Sequence, residues 1–275
     1  MKTPALAVGP LVLACAMQVA AAADQPPPAP ASAAENRLLF SADGAWLTGG
    51  SGGGGASALW LRTFAPQDVI SAGAEYQQIA NSHWTNGVLG GSLALGSGTP
   101  ASALYTEVHE GAGDIGAHAF DYSVITAGLL YTATPWLTVQ LEERRVDVDT
   151  SHGNLPKLGL SFRVAKPLLV SASYADTEGG NLGTRLASVR VDYAGRGLTA
   201  LAGAANGRAA PAVLNLLGQI VQPSPKLTEL FAGVGHSFGR ADWQLLADYQ
   251  DIEGFKRTTI TLLCTLHLDG RGRSP

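Results

Sequence analysis

Few residues in this chain are spaced for chemistry. The best-spaced set is Gly235-His236-Ser237-Phe238-Gly239, a match to the G-x-S-x-G nucleophile elbow. That elbow lifts a serine on a strained turn between a strand and a helix, where a histidine can take its proton. Here the residues on both sides alternate apolar and polar, so the stretch reads as two strands joined by a tight turn. Two further pairs, Ser82-His83 and Ser151-His152, are the remaining starting points for a lipid-hydrolysing site, and both fall in polar connections. The histidines (His83, His109, His118, His152, His236 and His267) form no H-x-H or H-x-x-x-H pair, so neither a metal nor any other cofactor is expected. Gly50–Gly55 satisfies G-x-G-x-x-G only as a glycine run with no helix behind it, and reads as a flexible loop rather than a phosphate cradle. No enzymatic activity is expected from these patterns.

The charged residues say more. Glu75, Glu107, Glu142, Arg144, Arg163, Arg190, Asp192, Glu229, Asp242, Asp248 and Arg257 all fall on the polar side of period-2 patterns. The clearest pattern lies between 227 and 268. Trp243, Leu245, Ala247 and Tyr249 oppose Asp242, Gln244 and Asp248; Ile260, Leu262, Cys264, Leu266 and Leu268 oppose Arg257, Thr259, Thr261, Thr265 and His267. Only Leu246 and Leu263 break the rule. Alternation sustained for about nine residues makes a strand long enough to cross a bilayer, whereas ordinary strands average about 5–6. The same alternation recurs at Ile70–Tyr76, Leu137–Leu141, Leu158–Val164 and Ala187–Tyr193. One face must then meet lipid and the other a polar interior, and the strand-built structure that can span a membrane is a closed barrel. Past Arg145 the apolar parity switches to Val146 and Val148, which implies a bulge or emergence from the membrane.

Tight turns (65–68, 97–100, 133–135, 165–167, 194–197, 239–240) take turns with longer, more polar connections (49–55, 79–84, 109–118, 149–156, 176–182, 206–226, 251–255). This separates about 14 strands, or 12 if a weak hairpin around 38–47 or 198–205 is lost. The expected fold class is therefore all-β, a transmembrane antiparallel up-and-down β-barrel, with short periplasmic turns and longer outer loops. Phe64, Tyr131, Trp136, Tyr193, Phe238 and Trp243 flank the turns, and Tyr76, Trp84, Tyr105, Tyr174, Tyr249 and Phe255 lie towards the loops, as two interfacial belts would. Charged residues make up 15% of the chain, against about 25% in soluble domains. With net charge −4 there is no basic footprint for nucleic acid.

The expected organisation is a signal peptide at 1–23, a Pro/Ala-rich periplasmic leader at 24–36, the barrel at 37–268 and a polar tail at 269–275. Lys2, the apolar 5–14 and Ala21-Ala22-Ala23 form the export signal. Lipidation at Cys15 is the alternative processing route. Cys264, on an apolar strand face, is a small hydrophobe first.

Taken together, the signal, alternation, turns and belts resemble a Gram-negative outer-membrane β-barrel protein. Gly239-Arg240-Ala241-Asp242-Trp243, with Asp248-Tyr249 and Phe255-Lys256-Arg257, resembles the YaiO-like group of small barrels. The resemblance implies the cell outer membrane, outer-membrane lipid and the barrel-assembly machinery as partners, and service to a surface-polysaccharide export system. Such barrels end on an aromatic residue, whereas this one ends Leu266-His267-Leu268 before its tail. The residues themselves support a narrow pore whose lumen carries the charges named above. A structural or adhesive barrel and a lipid-modifying enzyme are the other readings. The connection 206–226 exceeds the usual loop limit of about 12–15 residues. Within it Val213, Leu216, Leu217 and Ile220 share one helical face, and are expected to fold into the barrel mouth as its constriction.

Overall fold

The computed structural model describes residues 35–50, 52–65, 67–79, 82–96, 101–115, 118–148, 151–195, 197–208 and 225–269. The segment expected as signal peptide, most of the expected leader, the tail past 269 and the segment carrying Val213, Leu216, Leu217 and Ile220 lie outside the described residues. Fourteen strands follow one another: β1 Glu35–Leu47, β2 Gly52–Ala65, β3 Asp68–Ile79, β4 Ser82–Ala94, β5 Ala101–Ile115, β6 His118–Thr134 and β7 Leu137–Val148. They continue as β8 Ser151–Ala165, β9 Leu168–Asp176, β10 Arg185–Gly195, β11 Leu198–Arg208, β12 Lys226–Phe238, β13 Ala241–Ile252 and β14 Phe255–His267. Each pairs antiparallel with its sequence neighbours, and β1 pairs with β14 from Arg37↔His267 to Leu47↔Arg257, which closes the barrel. The weakly patterned stretches at 38–47 and 198–205 are both strands, so the count is fourteen rather than twelve.

The outer face is what lipid requires. Leu93, Leu104, Leu129, Leu141, Leu158 and Tyr174 are successive cross-strand neighbours and form one apolar row over six strands. At the end of the short turns Phe64, Tyr131, Trp136, Tyr193, Phe238 and Trp243 all stand exposed, a complete aromatic girdle. The ladder shifts register at Thr63/Ala65, Thr132/Thr134 and Arg163/Ala165. Each bulge sits just before a proline, at 66, 135 or 167, whose nitrogen cannot donate to the ladder.

At the opposite end the structure departs from expectation. The connections 80–81, 116–117, 149–150 and 253–254 are as tight as the turns, because strands run on through Gly52–Gly55, Gly111–Ile115 and Ser151–Pro156. Long connections remain at 177–184 and 209–225. These strand extensions exchange their faces. The outer wall now carries ion pairs: His83–Asp114 (3.0 Å), Arg145–Asp147 (2.8 Å), Arg185–Asp176 (2.9 Å) and Lys256–Asp251 (3.7 Å). The inner face turns apolar. No bulge exists at Arg145, since β6 and β7 stay in register through Val148↔Tyr122. The parity switch there is chemical: Val146 keeps the inward phase of Glu142 and Arg144 and is buried, while Arg145 points out. The loop-side aromatic belt divides for the same reason. Tyr76 and Tyr174 face outwards, whereas Trp84 is buried inside and Tyr105 and Phe255 also turn in.

Candidate functional site

The lumen is the concave, chemically diverse surface of the fold, and burial and alternation place charged side chains on its inner phase. Glu75, Glu107, Glu142, Arg144, Glu229 and Arg257 are buried, and Arg163, Arg190, Asp192, Asp242 and Asp248 are half-buried on the same inner phase. They do not form one site but separate clusters. On β3–β5, His109 Nε2 lies 2.7 Å from Glu107 Oε1, and Asn86 Nδ2 donates to Glu75 Oε2 at 3.0 Å. On β5–β8, Glu142 collects Tyr105 Oη at 2.7 Å, Arg144 at 3.1 Å, Gln140 at 3.2 Å and Lys157 Nζ at 3.5 Å. On β12–β14, Arg257 donates to Gln250 at 2.7 Å, Gln250 donates to Glu229 at 3.1 Å, and Asp248 lies 3.9 Å from the guanidinium.

Glycines let these clusters reach across intervening strands. Tyr105 on β5 meets Glu142 on β7 because Gly128 between them has no side chain; a Cβ there would lie 2.2 Å from the tyrosine ring. Gln77 on β3 donates to Asp43 on β1 at 2.9 Å over Gly55, where a Cβ would lie 2.2 Å from the amide. Gly52–Gly55 of the glycine run expected as a flexible loop are thus the start of strand β2, and Gly55 gives passage to a lumen bridge.

The clusters do not satisfy themselves. Glu75 Oε1, Glu107 Oε2, Arg144 Nε, Asp248 Oδ1, and Arg257 Nε and Nη1 are buried without a protein hydrogen-bond partner. Each of these groups is held by a hydrogen bond or an ion pair to a neighbour, so the free atoms are hydrogen-bonding capacity left over on the packed side of the lumen.

Hydration is uneven. Inner residues of β1–β7 and β14 are mostly buried: Glu75 and Glu107 side chains are 3% and 5% exposed, and Arg257 is 0%. Along β8–β10, Lys157, Arg190 and Asp192 side chains are 27%, 21% and 25% exposed. Ser161, Arg163, Ser171, Ser173 and Ser188 are half-buried there too. Water therefore follows one wall.

Above the polar clusters, at the loop end, lies an apolar collar that sequence reading did not reveal. Leu47, Ile79 and Trp84 pack with Phe120 and Phe255. Phe120 also packs with Tyr122, Val124, Val146 and Leu182, while Phe255 joins Leu227 and Ile252, against which Leu186 packs. Shared phenylalanines thus carry the collar round the mouth, from Leu186 on β10 by way of β12–β14, β1, β3, β4, β6 and β7 to Leu182 in the connection before β10. One signal was available in the sequence: at the loop ends the apolar residues sit on the otherwise polar parity, as with Val146, Val148 and Ile252.

Two of the three serine-histidine pairs fail on geometry. His236 is exposed on the outer face beside Phe238, with ring centroids 4.6 Å apart, while Ser237 takes the inner face. Ser82 is buried inside, and His83 points out to Asp114. Adjacent strand residues project oppositely, so neither histidine can act on its neighbouring serine. His152 is exposed near the loop end. His267 bridges Asp242 at 2.8 Å and Glu35 at the turn end of the seam. Among the described residues no group of three or more His, Cys, Asp or Glu is arranged to hold a metal.

No protein-family model matches the sequence, and no curated protein matches it. The solved structures similar to it are outer-membrane barrels. The monoaromatic hydrocarbon channel CymD has a TM-score of 0.60 at 12% identity, over 97% of this chain and 95% of that one. The toluene transporter TodX of Pseudomonas putida has a TM-score of 0.55 at 10% identity, over 90% and 93%. The outer membrane protein Omp33 of Acinetobacter baumannii has a TM-score of 0.52 at 11% identity, over 85% and 99%. At such identities the likeness is one of fold: this chain is a closed fourteen-stranded antiparallel barrel, similar in fold to those outer-membrane proteins.

Proposed function

We propose that this protein is an outer-membrane channel for small solutes, with its turn end in the periplasm and its loop end at the cell surface. One observation carries the reading: inside a wall with an apolar exterior, the β8–β10 side of the inner face bears charged side chains, Lys157, Arg190 and Asp192, that stay 27%, 21% and 25% exposed and so reach water within the lumen. Barrels of about eight strands are filled by their side chains and those of 16–18 hold an open channel, so fourteen suits a narrow one. The collar is its constriction, since an apolar ring narrows a water path and gates by dewetting. The channels CymD and TodX are similar in fold and carry small hydrocarbons by name, which supports the small-solute reading.

Planar-bilayer recording on the refolded protein tests this. Small, discrete conductance steps are expected, and conductance no greater than leak would remove the reading. The YaiO-like resemblance supports a second reading, service to polysaccharide export. Loss of surface polymer in a deletion strain with unchanged small-solute permeability would favour it.

A further inference from the structure

We propose that the preferred solutes are organic anions with an apolar, ring-sized body: the aromatic collar takes the body, and a hydroxyl and guanidinium track on β8–β10 takes the anionic head. The inference rests on the channel reading and names its substrate class.

The track follows from register. Ser161 pairs with Ser171, and Ser171 faces Arg190. One step along the same face Ser173 faces Ser188, and one step the other way Arg163, Leu169 and Asp192 form a row. The hydroxyls of Ser161 and Ser171 are 2.9 Å apart, and those of Ser173 and Ser188 are 2.8 Å apart. Four hydroxyls thus lie as two bonded pairs, Ser161–Ser171 in the row of Arg190 and Ser173–Ser188 one step towards the loop end, with Arg163 one step towards the turn end and Lys157 further up β8. A hydroxyl in such a pair still has hydrogen-bonding capacity, and together with a guanidinium it can bind a carboxylate or sulfonate. Asp192 bonds Arg190 Nε and so orients it, while Arg163 has only a long contact of 3.4 Å to the Lys166 carbonyl. Arg163 sits near the turn end, where its charge faces solvent.

The lumen also holds carboxylates, and exposure decides which sign a solute meets. Asp43, Glu75, Glu107, Glu229 and Asp248 lie on β1, β3, β5, β12 and β13, with side chains packed among their neighbours. Water reaches the β8–β10 track instead, where the equally accessible Asp192 is matched by Arg190 and Arg163 leaves the balance cationic, and a solute touches what water touches. At the loop end the half-buried Phe120 and Phe255, backed by the buried Trp84 and Tyr122, give the collar flat apolar surfaces matched to a ring and unsuited to a hydrated sugar.

Two permanently charged probes of the same shape separate head-group sign from body: benzenesulfonate and phenyltrimethylammonium, each measured by reversal potential across a bilayer holding the refolded protein. Benzenesulfonate is expected to be several-fold more permeant. In the double variant Arg163→Gln/Arg190→Gln that ratio should fall towards one, while the heat-modifiable mobility of the folded barrel persists. If that variant does not fold, Arg163→Gln alone should show a smaller fall in the same direction. Preference for the ammonium probe, or an unchanged ratio in a folded variant, overturns the inference and leaves the channel standing. Chloride conductance with neither aromatic ion permeant overturns the substrate class alone. No conductance of any ion overturns both.

Discussion

At the scale of single residues, inner charges act as balanced sets, so removing one member costs more than the contact it made. Glu142 offsets Arg144 and Lys157 and accepts from Tyr105. Glu142→Ala leaves the buried Arg144 uncompensated, and a loss of about 3–5 kcal/mol is expected in a urea refolding titration into lipid vesicles. Gly128→Ala tests the bridge over β6: the added methyl must displace the Tyr105 ring, and about 1–3 kcal/mol should be lost. Face parity gives a sharper contrast. Leu262→Arg puts a cation on the exposed outer face, costing about 2–4 kcal/mol at the bilayer midplane. Alternation alone makes inward Thr261 a mild counterpart, but the structure buries it on the packed side of the lumen, so arginine there overpacks. Ser188, on the hydrated wall, is the proper control, and Ser188→Arg should lose well under half as much as Leu262→Arg in the same titration.

Elements show how much the sequence could tell and where it stopped. Strand number, order and the inner placement of the charges were legible, because a two-sided strand must alternate and lipid tolerates no lapse on one side. The outer half was not legible. Polar residues at Asp149–Pro156 and His109–His118 look like loops because strands are recognised by an apolar outer face, and above the membrane that face meets water instead. There the barrel obeys the rules of a soluble protein, with ion pairs outside and Trp84, Ile79, Leu182 and Ile252 inside. The collar is therefore a true core. Trp84→Ala should cost about 3–5 kcal/mol, as large core truncations do, whereas an aromatic of the outer girdle such as Trp136 should cost much less on the same vesicle titration. The seam is the other element-scale feature. No terminal aromatic closes it; Asn36 donates its backbone and side-chain N–H groups to Asp269, and the Leu268 N–H donates to the Asn36 carbonyl at 2.9 Å. Those hydrogen bonds hold the Asp269 carboxyl below its ordinary range. A depressed carboxyl stabilises the fold above its unfolded pKa and loses that effect only as pH falls through the folded one. Asp269→Ala should thus lower the temperature of heat-modifiability on gels at neutral pH, and its difference from the parent should vanish only in strong acid.

For the whole molecule, the pieces amount to two stacked environments in one closed wall: a polar, partly hydrated lumen level with the apolar outer face, and an apolar collar level with the ion-paired one. A channel built this way is limited at the collar, not along the charged lumen. Most of its closed-barrel stability survives collar trimming at one position, because the ladder from β1 to β14 is unbroken. The most direct measurement is single-channel conductance of the refolded parent beside Phe255→Ala, which opens the link joining the β12–β13 and β1–β4 parts of the collar. The parent should show small conductance steps and Phe255→Ala steps several-fold larger, with both proteins folded by heat-modifiability. Equal conductance in the two would contradict the collar as constriction, and conductance no greater than leak in both would contradict the channel itself.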